Sequence, residues 1–215
     1  MCKGFRCFVV GLIVTGAAVR SYAQGNSEVD WFAAGFTYLT LQNGTYVPTG
    51  CLLEIGKFTS APVAGSPSLQ NFVPFATGSM GQGLGVDGAW AIGSTADSTG
   101  FVNQQIYLVA FNAPTAGAAT ELGIFCVDDA VNSGWKFQSS AAPPTTIELQ
   151  DLVQNAGTPA NSLSPGAQVI FGSGPFYDAA EGVSYLTLGV PEPSTFALVG
   201  VSCLSAVGLM RRRRA

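Results

Sequence analysis

Between residues 36 and 188 the chain alternates apolar and polar side chains over short runs, and each run stops at a cluster of Gly, Pro, Ser, Asn or Asp. Phe36-Thr37-Tyr38-Leu39-Thr40-Leu41 is the clearest case. Successive side chains of a strand point to opposite faces, so such a run buries one side and wets the other. It meets Asn43-Gly44, a dipeptide suited to the positive φ of a tight hairpin turn, before Thr45-Tyr46-Val47 returns. The same reasoning predicts strands over 51–58, 89–92, 105–111, 122–127, 135–138, 168–171 and 185–188. Turn-rich stretches at 60–67, 78–88 and 112–117 separate them. Only 146–154 (Thr-Ile-Glu-Leu-Gln-Asp-Leu-Val-Gln) spaces its apolar residues as a helix would, and it is short. The polar stretch 156–166 reads as an exposed loop. Many short strands with almost no helical pattern predict an all-β fold, a single sandwich or jelly-roll-like module. No repeat or internal boundary divides it.

The two ends break this pattern. Lys3 and Arg6 precede a continuous apolar run over 7–19, which is followed by Ser21-Tyr22-Ala23 and Gln24. A short positive stretch, an apolar segment and small residues at the last and third-last positions predict a secretory signal over 1–23, cut between Ala23 and Gln24 by signal peptidase. The run is shorter than the roughly 20 residues a spanning helix needs. Cys2 and Cys7 stand ahead of most of it, the wrong place for a lipoprotein signal. At the other end, residues 196–210 form a second apolar run, ahead of Arg211, Arg212, Arg213 and Arg214. That order predicts a membrane helix with a cytoplasmic basic stop, placing residues 24–189 outside. At about 1.5 Å per residue the run reaches only about 22 Å, short of a roughly 30 Å hydrocarbon core, so the anchor is marginal.

Just outside that run stands Val190-Pro191-Glu192-Pro193-Ser194-Thr195. Two prolines flanking one carboxylate fix an extended, non-helical strip that a processing enzyme can read. With the apolar run and the arginine cluster, residues 190–215 resemble the PEP-CTERM sorting signal. The resemblance implies recognition by an exosortase, an integral-membrane cysteine enzyme of Gram-negative bacteria that make exopolysaccharide. It further implies release near Pro191-Glu192-Pro193 and delivery to the outer surface or extracellular matrix. A second resemblance, over 104–112, 119–125 and 135–137, is to uncharacterised exported proteins bearing the same tail. It implies a shared β module and no chemistry.

Charge changes the picture once the ends are set aside. The formal net charge of the chain is −4, but seven of its basic residues lie in the two end segments. Between Gln24 and Val190, Lys57 and Lys136 face twelve acids, which leaves −10. A body this acidic repels nucleic acid and anionic lipid. Of the five cysteines only Cys51 and Cys126 fall in the body. An oxidising compartment favours a disulfide between them, contributing on the order of 4 kcal/mol by loop closure; two buried thiols are the alternative.

With no His in the chain, Ser-His-Asp, Cys-His and His-zinc mechanisms have no base or ligand. No cofactor or metal is expected. Glu54 and Glu121 are the one pair of acids inside apolar runs that a glycoside hydrolase could use, and outward-facing strand residues are the plainer reading. Asp128-Asp129 lacks the spaced loop pattern of a calcium site. Trp31, Trp90 and Trp135 are either core or a platform for sugar rings. The glycine-rich 78–88 stretch lacks phosphate-loop order and reads as a flexible loop. The expected protein is therefore non-enzymatic, structural or adhesive, and sorted to the surface or the exopolysaccharide matrix. The other readings are a carbohydrate-binding module using exposed Trp or Tyr, an unsorted tail-anchored periplasmic protein, and a two-carboxylate hydrolase.

Overall fold

The computed structural model describes residues 26–33, 35–97, 99–139 and 142–191. The signal segment with Ala23 and Gln24, the apolar run 196–210, Glu192, Pro193 and Arg211 to Arg214 lie outside the described residues. Within them the chain is all-β, and no described helix is long and apolar enough to cross a membrane.

Three sheets carry the fold. Strands β1 (Asn26–Ala33), β5 (Trp90–Asp97) and β8 (Thr145–Glu148) form a three-stranded sheet in the order β5-β1-β8. A five-stranded antiparallel sheet is built from β3 (Leu52–Phe58), β4 (Phe72–Ser79), β6 (Tyr107–Phe111), β7 (Leu122–Val127) and β11 (Ala167–Phe171), ordered β11-β7-β6-β3-β4. The third sheet, β12-β13-β2, joins β2 (Thr37–Thr40), β12 (Ser173–Asp178) and β13 (Val183–Thr187). A short ribbon of β9 (Val153–Gln154) and β10 (Ser162–Leu163) completes the set.

The core lies between the sheets. β1 alternates buried and half-buried positions along its whole length, sending Val29, Trp31 and Ala33 inward. A side chain added at Gly78 of β4 would meet Ile92 and Trp31, so β4 lies against the β5-β1-β8 sheet. Trp31 and Trp90 meet edge to face with centroids 6.4 Å apart, an arrangement that adds to the area they bury. Phe75, Phe101 and Phe137 form a second aromatic knot at 4.7 to 5.2 Å. Burial of both faces makes β7 continuously apolar, with all six residues buried.

Several expectations need correction. Residues 146–154 are not helical: they run from β8 through a 3-10 turn (Leu149–Leu152) into β9. Leu149 and Leu152 are both buried on that one turn, which accounts for spacing that resembles a helix. Residues 135–138 form no strand; a 3-10 turn over Ser133–Trp135 ends in a single bridge from Lys136 to Gln105. The glycine-rich stretch begins inside β4, and its remainder is tied to the body by Gly81 N to Ala89 O (2.8 Å) and Gly88 N to Val47 O (2.8 Å).

Cys51 and Cys126 are buried, free thiols, so the candidate disulfide is not made. The register explains why. Gly56 pairs with Tyr107, and the β6–β7 register sets Tyr107 opposite Cys126. Cys126 is therefore level with Gly56, five residues along from Cys51 and two strands across. At about 3.4 Å per residue and about 4.8 Å per strand the two Cα atoms are about 19 Å apart. A disulfide tolerates less than about 7 Å.

Candidate functional site

The third sheet carries an aromatic row on its outer face. β2 and β13 run parallel with Tyr38 opposite Tyr185, and β12 runs antiparallel to β13 with Phe176 opposite Tyr185. Tyr38 thus lines up with two residues more than 130 positions away in sequence. The Asn43-Gly44 turn, with φ +82° at Gly44, folds Tyr46 back beside Tyr38. Leu41 N donates to Thr45 O, and Val47 N to Leu39 O, holding that return. Ring centroids are 5.6 Å apart for Phe176–Tyr185 and 5.5 Å for Tyr38–Tyr46. Phe176 is 44% exposed, far more than a core aromatic, and the three tyrosines are half-buried. At about 4.8 Å per strand the row extends roughly 15 Å.

A second row of hydroxyls lies two residues along the same strands. Ser173 pairs with Thr187, and Thr187 with Thr40. The Oγ1 atoms of Thr40 and Thr187 are hydrogen-bonded at 3.0 Å. Three β12 residues span what β13 spans in two, because the register shifts between Ser173 and Phe176. Gly174, at φ +115°, permits the close approach: a Cβ there would sit 2.9 Å from Tyr185 O. Between the rows is an open cleft of about 240 Å³ lined by Leu41, Gln42, Ser173, Phe176, Tyr185 and Thr187, together with Gly44.

Carboxylates frame the row. The Tyr46 hydroxyl donates to Glu181. Burial, then that hydrogen bond and the Glu181 charge, hold the phenol well above its ordinary pKa, so it remains a donor. Along the strands, past the hydroxyl row, Glu121 Oε2 accepts from Gln42 N at 2.8 Å, while Gln42 Nε2 donates to Leu188 O at 3.1 Å.

The residues singled out from the sequence fare differently. Trp31, Trp90 and Trp135 are at most 1% exposed and form no platform. Trp31 Nε1 donates to Ser94 Oγ and Trp135 Nε1 to Asp151 Oδ2, each at 2.9 Å. Glu54 and Glu121 are not a catalytic pair. Glu54 is opposite Val109 and hence Ile124, three residues from Glu121 and so on the other face of the sheet. Asp129 pairs with Lys136 at 3.1 Å, and Asp128 Oδ1 accepts from Ala130 N at 2.9 Å. Among the described residues no cluster of three His, Cys, Asp or Glu could hold a metal ion. Of the sorting strip, Pro191 is described, immediately beyond the body's last bonds. Leu188 N donates to Thr40 O, Gly189 and Leu122 exchange two hydrogen bonds (2.7 and 2.9 Å), and Val190 is exposed.

No curated protein and no solved structure matches the chain. Residues 189–214 match the family model of the PEP-CTERM protein-sorting motif. That segment covers the Pro191-Glu192-Pro193 strip, the apolar run and all four arginines. The chain therefore carries a PEP-CTERM sorting motif of the kind exosortase processes, and it is a sorted, exported protein.

Proposed function

We propose that this protein is a non-enzymatic component of the outer surface or exopolysaccharide matrix, released by tail processing and retained there by binding glycan. The observation that carries the reading is the Phe176–Tyr185–Tyr38–Tyr46 row, with its hydroxyl row alongside. Aromatic rings present an apolar face with a polar edge, which suits the C–H face of a pyranose ring, while neighbouring hydroxyls suit its rim. Export supplies the context, because a chain sorted by its PEP-CTERM motif to the proposed surface or matrix would meet polysaccharide there. The absence of His and the separation of Glu54 from Glu121 favour binding over turnover.

The short apolar run 196–210 fits a temporary anchor, with the signal removed by signal peptidase and the tail by exosortase. The test is affinity electrophoresis of the released protein in gels cast with the matrix polysaccharide of the producing cells. Retardation that falls when Phe176 is replaced by Ser supports the reading, whereas unretarded migration of the native protein removes it. Intact mass of the released protein addresses processing: a chain still containing residues 196–214 contradicts tail removal.

A further inference from the structure

We infer that the aromatic row takes an uncharged polysaccharide and rejects chains bearing carboxylate or sulfate groups. This rests on the glycan-binding reading above and adds which glycans that site accepts.

The discrimination comes from what surrounds the rings. Glu181 stands at one end, accepting from Tyr46. Asp178 heads the same turn, where its Oδ1 accepts from Ala180 N at 2.7 Å and Glu181 N at 3.3 Å. Glu121 stands beyond the opposite end of β13, where it accepts from the backbone N–H of Gln42, a residue that lines the cleft. Among the described residues no cation offsets them. The described residues contain two basic side chains, Lys57 and Lys136. Lys57 donates to Gly100 O and lies 5.3 Å from the Phe101 ring centroid, and Lys136 is committed to Asp129. Neither lines the cleft.

An anionic sugar entering this site loses water and gains no partner charge, which is the costly case for a desolvated ion. It also enters the field of Glu181 and Asp178 at the turn before β13 and of Glu121 beside Gln42 on the cleft, and exposed charges act over about 8 to 10 Å. A neutral sugar meets neither cost. Its C–H face lies on the rings, and its hydroxyls reach groups that both donate and accept: Ser173, Thr187 and the Gln42 amide. The pairing of an apolar row with a hydroxyl row also disfavours a wholly apolar ligand, which would leave those hydroxyls covered without partners.

The experiment compares retention of the released protein in gels cast with dextran or hydroxyethylcellulose and in gels cast with alginate, a polyuronate. The cells' own matrix polysaccharide, assayed for uronate and sulfate, is run beside them. The inference expects retention by a neutral polymer and none by alginate at any salt. Phe176→Ser should weaken neutral retention about tenfold, the equivalent of one stacked ring. Its unfolding temperature, measured in parallel, should change little because the ring is 44% exposed and outside the core. Gln42→Arg sets a cation on the cleft; it should gain alginate retention at low salt and lose it near 1 M, where screening acts over about 3 Å. Equal retention of the native protein by alginate and neutral polymers overturns the charge selection and leaves glycan binding standing. Retention by a uronate-rich matrix polysaccharide does the same. Retention by none of the polymers, including the matrix polysaccharide, overturns glycan binding itself. Neutral retention that persists in a folded Phe176→Ser, Tyr185→Ser variant places binding elsewhere and overturns the row as the site, and with it the charge selection.

Discussion

Alkylating the protein with iodoacetamide at about pH 8, without reductant, folded and then in guanidinium, probes its two body cysteines directly. Burial, and secondarily the Asp128 charge, push the Cys126 thiol from 9.0 up to about 12. Three units lower the thiolate fraction at this pH about a thousandfold, and the thiolate is the nucleophile. Cys126 also lies on β7, paired with Gln168 of β11 on one side and flanked by β6 on the other. Reagent therefore reaches it only when strands separate. Cys51 is buried too, its thiol raised first by burial and then by Asp87. Peptide mapping should find both sites unlabelled in the folded protein and both fully labelled in guanidinium. A Cys51–Cys126 cross-linked peptide in an unreduced digest would falsify the β3–β6–β7 register, which separates them by about 19 Å. Native labelling of Cys126 at the rate of a free peptide thiol would refute its burial.

The same thiol makes stability fall in alkali: with its folded pKa above the unfolded one, its contribution is complete below pH 9 and is lost as pH rises toward 12. Thermal unfolding followed by circular dichroism across that range reads the loss, and a flat profile counts against it. Glu54, raised by burial, and Glu148, raised by burial and then Asp151, are also raised carboxylates. Their contribution is present below the unfolded carboxylate pKa and lost as pH rises, so mild acid should not destabilise the fold through either group; a native melting temperature that falls relative to that of Glu54→Gln as pH drops from 7 to 4 argues otherwise. Trp135→Ala should cost about 3–5 kcal/mol, since the ring is fully buried and its indole N–H holds Asp151; denaturant unfolding within about 1 kcal/mol of the native chain would contradict that packing. Gly56→Ala should cost more than a typical core overpacking of about 1–3 kcal/mol, because the new Cβ would stand 2.3 Å from Val73 O and 2.9 Å from Pro74 Cα. Replacing Pro191, Glu192 and Pro193 by alanine should leave the chain in the membrane fraction, and unchanged release would count against recognition of the strip.

The five-stranded sheet was mostly legible because its strands are self-announcing. The apolar runs at 105–111 and 122–127 can bury both faces of a central strand, and β6 and β7 do. β1 alternates without a break, but its outward residues include Asn26, Glu28 and Asp30, and so much polarity next to the signal segment masked the inward Val29 and Trp31. β4 was hidden differently: Pro74 argues against a strand, yet it sits at the sheet edge where the register shifts opposite Gly56. The tryptophans misled for a physical reason. Their size makes them attractive as sugar platforms and equally suitable for filling the space between two sheets, and only neighbours distant in sequence decide which.

The aromatic row was illegible for a stronger reason than masking. Tyr38 and Tyr185 become neighbours through a parallel pairing of β2 with β13, strands separated by most of the body. No local period encodes such a pairing, and each tyrosine alone reads as the wet face of an ordinary strand. The pairing also ends where the sorting strip begins, for Thr187 lies opposite Thr40, Leu188 bonds to Thr40, and Gly189 is bridged to Leu122. Gln42, which lines the cleft, donates to Leu188 O. The candidate glycan site and the exit of the chain toward its tail are thus built from the same few backbone bonds. Only Val190 separates that knot from Pro191, so processing must act close against a folded edge. A substitution that loosens β13 would consequently disturb retention and release together, whereas Phe176→Ser, on the far strand, should disturb retention alone.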